Sequence, residues 1–72
     1  MKTGDLIIFS KIKLNATDYR QFYLNKVGYI QSVDQIFNIV AIYYPNINKT
    51  FKIHNSWLDK KECTSFEIIS SS

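Results

Sequence analysis

Histidine and cysteine occur once each in this 72-residue chain, as His54 and Cys63, beside six acidic residues. A zinc centre needs roughly three or four His, Cys or carboxylate ligands converging on one point. His54 has no second histidine or cysteine at a useful spacing, and Asp59 and Glu62 are generic neighbours, so it reads as a surface or turn histidine. Cys63 would need an activating base to act as a nucleophile, and reads instead as a residue at the edge of a core. A general acid–base pair needs two carboxyl groups in different environments, whereas Asp59 and Glu62 flank Lys60 and Lys61 and read as solvated. With Gly4 and Gly28 as the only glycines, no glycine-rich loop exists to cradle a phosphate. The expectation is a protein that is not an enzyme, with no cofactor and no metal.

Binding chemistry is better represented. Aromatic residues make up 15% of the chain, and Tyr19, Phe22, Tyr23, Tyr43, Tyr44 and Trp57 could line a groove that stacks a base or holds an extended peptide. Against this stands the plainer possibility that Phe22, Tyr44 and Trp57 are core and the other tyrosines half-buried. The net charge of +3 is mild, and arginine occurs once, as Arg20. Phosphate contacts would fall to Lys11, Lys13, Arg20, Lys26, Lys49 and Lys52, but these are scattered, and a nucleic-acid binder usually shows a denser basic cluster.

The elements that must position these groups are short and β-rich. A chain of this length holds one domain and buries only about 60% of the surface its unfolded state exposes, so the bulky rings must do much of the packing. Gly4–Phe9 reads as a first strand, with Ile7 and Phe9 on one face and Leu6 and Ile8 on the other. Apolar residues on both faces predict a strand covered on two sides, or one in a strongly coiled barrel. Ser10 to Asn25 reads as a long, partly ordered loop. Its alternation at Ile12 and Leu14 is a strand signal, and Thr17 or Asp18 could cap a helical turn over Tyr19–Tyr23. Lys26–Val33 is a second strand, with Gly28 at a bulge or a close backbone approach.

Asp34-Gln35 then breaks the chain before a third run, Ile36–Tyr44, which places Val40, Ile42 and Tyr44 on one face. Pro45–Lys49 is a turn, and Thr50–Ile53 a fourth strand with Phe51 and Ile53 inward. His54–Leu58 reads as a 3₁₀ turn that tucks an apolar side chain under the sheet. Asp59–Glu62 is a charged loop, Cys63–Ile69 a last strand with Phe66 and Ile68 inward, and Ser70–Ser72 a fraying tail. The domain is expected to span 1–69. No internal disulfide is possible with one cysteine. The run Leu6–Phe9 is too short for a secretion signal, so a soluble, cytoplasmic protein is expected and the Asn15-Ala16-Thr17 and Asn48-Lys49-Thr50 glycosylation patterns read as chance.

Five strands in this order, with a long first connection and a 3₁₀ turn before the last strand, resemble the SH3-like small β-barrels. Phe51–Leu58 is similar to their strand-plus-3₁₀ segment, with Trp57 where those domains carry a tyrosine. The phrases Gly4-Asp5-Leu6-Ile7, Val27-Gly28-Tyr29-Ile30, Tyr43-Tyr44-Pro45, Ser56-Trp57-Leu58 and Phe66-Glu67-Ile68-Ile69 resemble, in that order, the small SH3-like proteins of tailed bacteriophages and bacteria. That family implies the barrel but no general activity, and it places the long loop beside the 3₁₀ turn, where the aromatic groove would form. The Ala-Leu-Tyr-Asp-Tyr phrase of peptide-binding SH3 domains is absent, and Asp18 is the only acid in Ser10 to Asn25. His54 or Asn55 stands where the usual proline opens the turn, so the resemblance does not extend to proline-rich ligands. The resulting expectation is an all-β, five-stranded SH3-like barrel acting as a non-catalytic module that binds a protein partner through an aromatic rim. The alternatives are a small nucleic-acid binder using the lysines and tyrosines, and a structural accessory subunit of a phage or bacterial assembly that docks by a strand edge.

Overall fold

The computed structural model describes residues 1–14, 17–18 and 22–70. Six strands and one helical turn follow in chain order: β1 (Leu6–Leu14), β2 (Thr17–Asp18), β3 (Val27–Asp34), β4 (Ile39–Tyr44), β5 (Lys49–His54), α1 (Asn55–Leu58) and β6 (Thr64–Ser70). All pairings between strands are antiparallel. The main ladder runs β6–β1–β3–β4–β5, and the two-residue β2 folds back on the far end of β1. The protein is therefore all-β, as its β-branched and aromatic runs predict.

The ladder does not close into a ring. Among the described residues β5 pairs only with β4 and β6 only with β1, so where a barrel was expected the structure has an open, curled sheet. The reason lies in the connection between those edges. α1 and the charged segment 59–63 carry the chain from β5 to β6, and α1 packs on both strands where a ladder would otherwise form. The curl is nonetheless tight: the ring of Phe9 on β1 meets that of Phe51 on β5 edge-on, with centroids 6.4 Å apart, although β3 and β4 separate the two strands in the ladder.

The concave face is the core. Ile7, Phe9, Ile12, Leu24, Ile30, Val40, Ile42, Tyr44, Phe51, Ile53 and Leu58 are buried there, with Phe66, Ile68 and Val33 packed against them. The face assignments of Ile7 with Phe9, of Val40 with Ile42 and Tyr44, and of Phe51 with Ile53 thus hold. Gly28 is a close approach rather than a bulge. A Cβ there would stand 2.6 Å from Ile42 Cγ2 and 3.0 Å from Tyr44 Cε1, whereas the register shift of β3 comes later, between Ile30 and Ser32.

Three elements differ from the expectation. β1 does not stop at Phe9 but runs on to Leu14, because a shift in its pairing with β6 between Phe9 and Lys11 restores Ile12 to the core face. The stretch read as a loop from Ser10 therefore begins as strand; the helical turn foreseen there begins at Tyr19, outside the described residues. β4 starts at Ile39, not Ile36. Asp34 Oδ1 accepts from the backbone N–H of Ile36 (2.9 Å) and Phe37 (3.1 Å), and Asn38 takes a positive φ of 55°, so residues 35–38 form a turn that holds Ile36 and Phe37 out of the sheet. Finally, the turn before the last strand is α-helical rather than 3₁₀: His54 Nδ1 accepts from Ser56 N at 3.1 Å and caps α1. As foreseen, it buries an apolar side chain, Leu58.

The glycine-opened first strand is anchored by a turn over Lys2–Asp5. Asp5 Oδ2 accepts from Lys2 N (2.9 Å), and backbone bonds Gly4 N to Ile30 O and Ile30 N to Asp5 O (both 2.9 Å) tie the turn to β3. Ser70, assigned to the fraying tail by sequence, pairs with Leu6 at the end of β6.

Candidate functional site

The aromatic positions expected to form one rim divide among separate settings. Phe22 and Tyr23 end the long connection, and two features fix them. Leu24 is buried and bridges to Phe9, and Asn25, at a positive φ of 59°, donates its N–H to Phe9 O at 2.8 Å. Pinned in this way, Tyr23 stacks on Phe51 with centroids 4.6 Å apart and leans on Tyr44 at 5.1 Å, while Phe22 lies 6.2 Å from Tyr23 and is 50% exposed. With Phe9 and Phe66 (5.7 Å apart) these rings make a continuous aromatic column from the core to the surface.

Tyr44 supports this ledge from below and presents nothing to solvent. Its ring lies under Gly28, and its hydroxyl is buried without a hydrogen-bond partner among the described residues. Burial, and to a lesser degree the neighbouring Tyr23, push that phenol well above its ordinary ionisation range.

Tyr43 faces the other way. Adjacent residues on a strand point to opposite faces, so Tyr43 lies on the convex face, opposite Tyr29, and donates its hydroxyl to Asn48 Oδ1 at 2.8 Å. Trp57 on α1 is half-buried under the ammonium of Lys60, which sits 4.7 Å from the ring centroid. Thr64, itself buried, donates its hydroxyl to Trp57 O at 2.7 Å and so ties α1 to β6. Tyr19 and Arg20 lie outside the described residues. The structure thus brings Phe22, Tyr23 and Tyr44 together, and sends Tyr43 to the opposite face.

The lysines do not gather. Lys11 and Lys13 are exposed on the outer half of β1, Lys49 and Lys52 on β5, and β3 and β4 stand between those strands in the sheet; Lys26 is half-buried before β3. His54 serves as the cap of α1, and Cys63 is half-buried, its carbonyl accepting from Lys13 N at 2.8 Å. Among the described residues no group of three His, Cys, Asp or Glu side chains stands close enough to hold a metal ion. A shallow cleft of about 380 Å³ lies between α1 and β6, walled by Leu58 and Phe66 and edged by Asp59 and Lys61. No helix among the described residues is long and apolar enough to cross a membrane.

Two exposed features escaped the sequence reading. One is the tip of the β3–β4 hairpin, where Ile36 is 86% and Phe37 66% exposed. The other is the convex face of the sheet, with Val27 at 38%, Tyr29 at 42% and Ile69 at 44% exposure. The signal for the second was present in the apolar outer positions of β1, Leu6 and Ile8. Compared with known proteins, the chain matches no family model, no curated protein and no solved structure.

Proposed function

We propose that this chain is a non-catalytic binding module that engages a protein partner through the aromatic ledge of Phe22 and Tyr23. The observation that carries the reading is the packing of Tyr23 against Phe51 and Tyr44, stacked on the first and tilted to the second, which holds the ledge in place before any partner arrives. A ring fixed in advance loses little conformational freedom on binding, so more of its contact energy appears as affinity. Trp57, half-buried under Lys60 on α1, is a separate aromatic position of the module. The finer architecture in this proposal is an SH3-like fold of the kind found in small phage and bacterial proteins. The ladder order β6–β1–β3–β4–β5 and the helical turn before the last strand support it.

The test is affinity capture from the native cell with the wild-type chain and with Phe22→Ala. The ring is half exposed, so its loss should leave circular dichroism and melting unchanged while weakening capture of the partner by about tenfold or more, as for a truncated aromatic hot spot. Equal capture by both proteins would refute the ledge. Retention of nucleic acid instead of protein, with a mobility shift strongest at low salt, would move the function to the lysines.

A further inference from the structure

A strand at the edge of a sheet leaves a row of backbone donors and acceptors unpaired, and proteins normally blunt such edges with lysine, proline or a covering element. The two free edges of this sheet differ in that respect. β5 carries Lys49 and Lys52, both exposed, whereas β6 has neither lysine nor proline. Two bonds give the backbone directions of β6. Lys13 N donates to Cys63 O at 2.8 Å and Ser10 Oγ to Ser65 O at 3.3 Å, so residues 63 and 65 aim their carbonyls at β1. Directions alternate along a strand, so Thr64, Phe66 and Ile68 aim N–H and C=O away from β1. Thr64 N is satisfied by Lys60 O at 2.9 Å. Among the described residues nothing pairs with Phe66 or Ile68 on that side.

Side chains at this edge also lack cover. Ile7, Phe9 and Ile12 on β1 are buried, whereas Phe66 and Ile68, which pack on the same core, are only half-buried. The cleft of about 380 Å³ between α1 and β6 opens at the same place, walled by Thr64 and Phe66 on one side and Leu58 on the other. An extended segment laid along β6 would bond the free backbone groups of Phe66 and Ile68. Its alternate side chains would fall on the core side, one entering the cleft beside Phe66 and the next covering Ile68. The side chain between them would stand beside Glu67, which is exposed on the opposite face, so a Lys or Arg fits there. A second copy of this chain fits poorly. The symmetric register that pairs Phe66 of each copy with Ile68 of the other sets two Glu67 carboxylates directly opposite, which is destabilising. We propose that the outer edge of β6 is a strand-addition site for an extended segment of a protein partner, apolar beside Phe66 and Ile68 and basic beside Glu67. It involves neither Phe22 nor Tyr23 of the ledge.

The probe is a displayed library of random peptides about eight residues long, enough to span an ordinary strand, selected on the full chain. The expected winners alternate apolar residues and carry Lys or Arg between two of them. On binding, the Phe66 and Ile68 amides should become protected from hydrogen exchange. N-methylating the peptide amides that face β6 should weaken binding by about tenfold or more, while methylating those that face away should leave it unchanged. Glu67→Lys should weaken binding to a similar degree, and replacing the peptide's basic residue by Glu should restore it. Should Glu67→Lys lose its fold, the two methylated peptides still decide the matter on the wild-type chain. Phe22→Ala should bind the same peptides as the wild type does. A selection that enriches no alternating peptide overturns the proposal, as does binding that leaves the Phe66 and Ile68 amides unprotected. Binding lost in Phe22→Ala but kept in Glu67→Lys would assign the peptides to the ledge and also overturns it. Protection of the two amides that grows with chain concentration, without peptide, would make a second copy the occupant and the partner assignment wrong.

Discussion

Single side chains decide how well this small core can pack. Tyr44 is fully buried with its hydroxyl unpartnered among the described residues, and an unsatisfied buried hydroxyl costs about 1–3 kcal/mol. Tyr44→Phe keeps the ring and removes that cost, so it should stabilise the protein by about 1 kcal/mol and raise Tm by roughly 4–8 °C. The same residue sets an alkaline limit. Its folded-state ionisation is pushed above the unfolded value, so the stability it confers is complete below about pH 10 and is lost as pH rises beyond it. Denaturant titrations from pH 7 to 11 should show this loss in the wild type and a flatter profile in Tyr44→Phe; an equal loss in both would contradict the assignment. Gly28 is the opposite case. Its Cβ position is filled by Ile42 and Tyr44, both held in the core, so Gly28→Ala should cost about 1–3 kcal/mol in thermal or chemical unfolding. That glycine's role was readable from its place inside a strand. The hydroxyl's want of a partner was not, because alternation shows that Tyr44 faces inward but not which polar groups lie within reach of its hydroxyl.

At the scale of elements, turn chemistry explains what was legible. Pro45–Lys49 was plain from its composition, and the observed turn ends at Asn48, with φ 51°, immediately before β5. The chain has only two glycines, so asparagine does the work elsewhere: Asn25, Asn38 and Asn48 all take positive φ, each one or two residues ahead of a strand. Asn38 shows why the start of β4 was misplaced. Ile36-Phe37 looks like strand by propensity, but Asp34 bonding to both their amides and the left-handed Asn38 delay the strand to Ile39. Propensity lost to local hydrogen bonding. The cap of α1 offers a check at this scale. His54→Ala removes the acceptor for Ser56 N and should cost about 1 kcal/mol, whereas His54→Asn, a good capping residue, should cost far less. Equal losses in the two variants, by thermal melting, would mean the ring matters through some other contact.

The molecule as a whole is a curled sheet with a packed inside and an unevenly polar outside. The inside was legible because period-2 alternation in the third and fourth runs names Val40, Ile42, Tyr44, Phe51 and Ile53 directly. Its openness was not, since closure depends on whether β5 and β6 meet, and a helical turn that separates strand edges looks in sequence like any short connection. The candidate surface was half legible: Phe22 and Tyr23 do cluster over Tyr44, but Tyr43 points away because neighbouring strand residues cannot share a face. The account rests on the claim that the pinned ledge, and not the lysines, meets the partner. The most direct measurement is a nitrogen-15 amide NMR titration with the captured partner. The account predicts shifts concentrated at Phe22, Tyr23 and the neighbouring Asn25 and Lys26; shifts confined to Lys11, Lys13, Lys49 and Lys52, with the ledge unmoved, would contradict it.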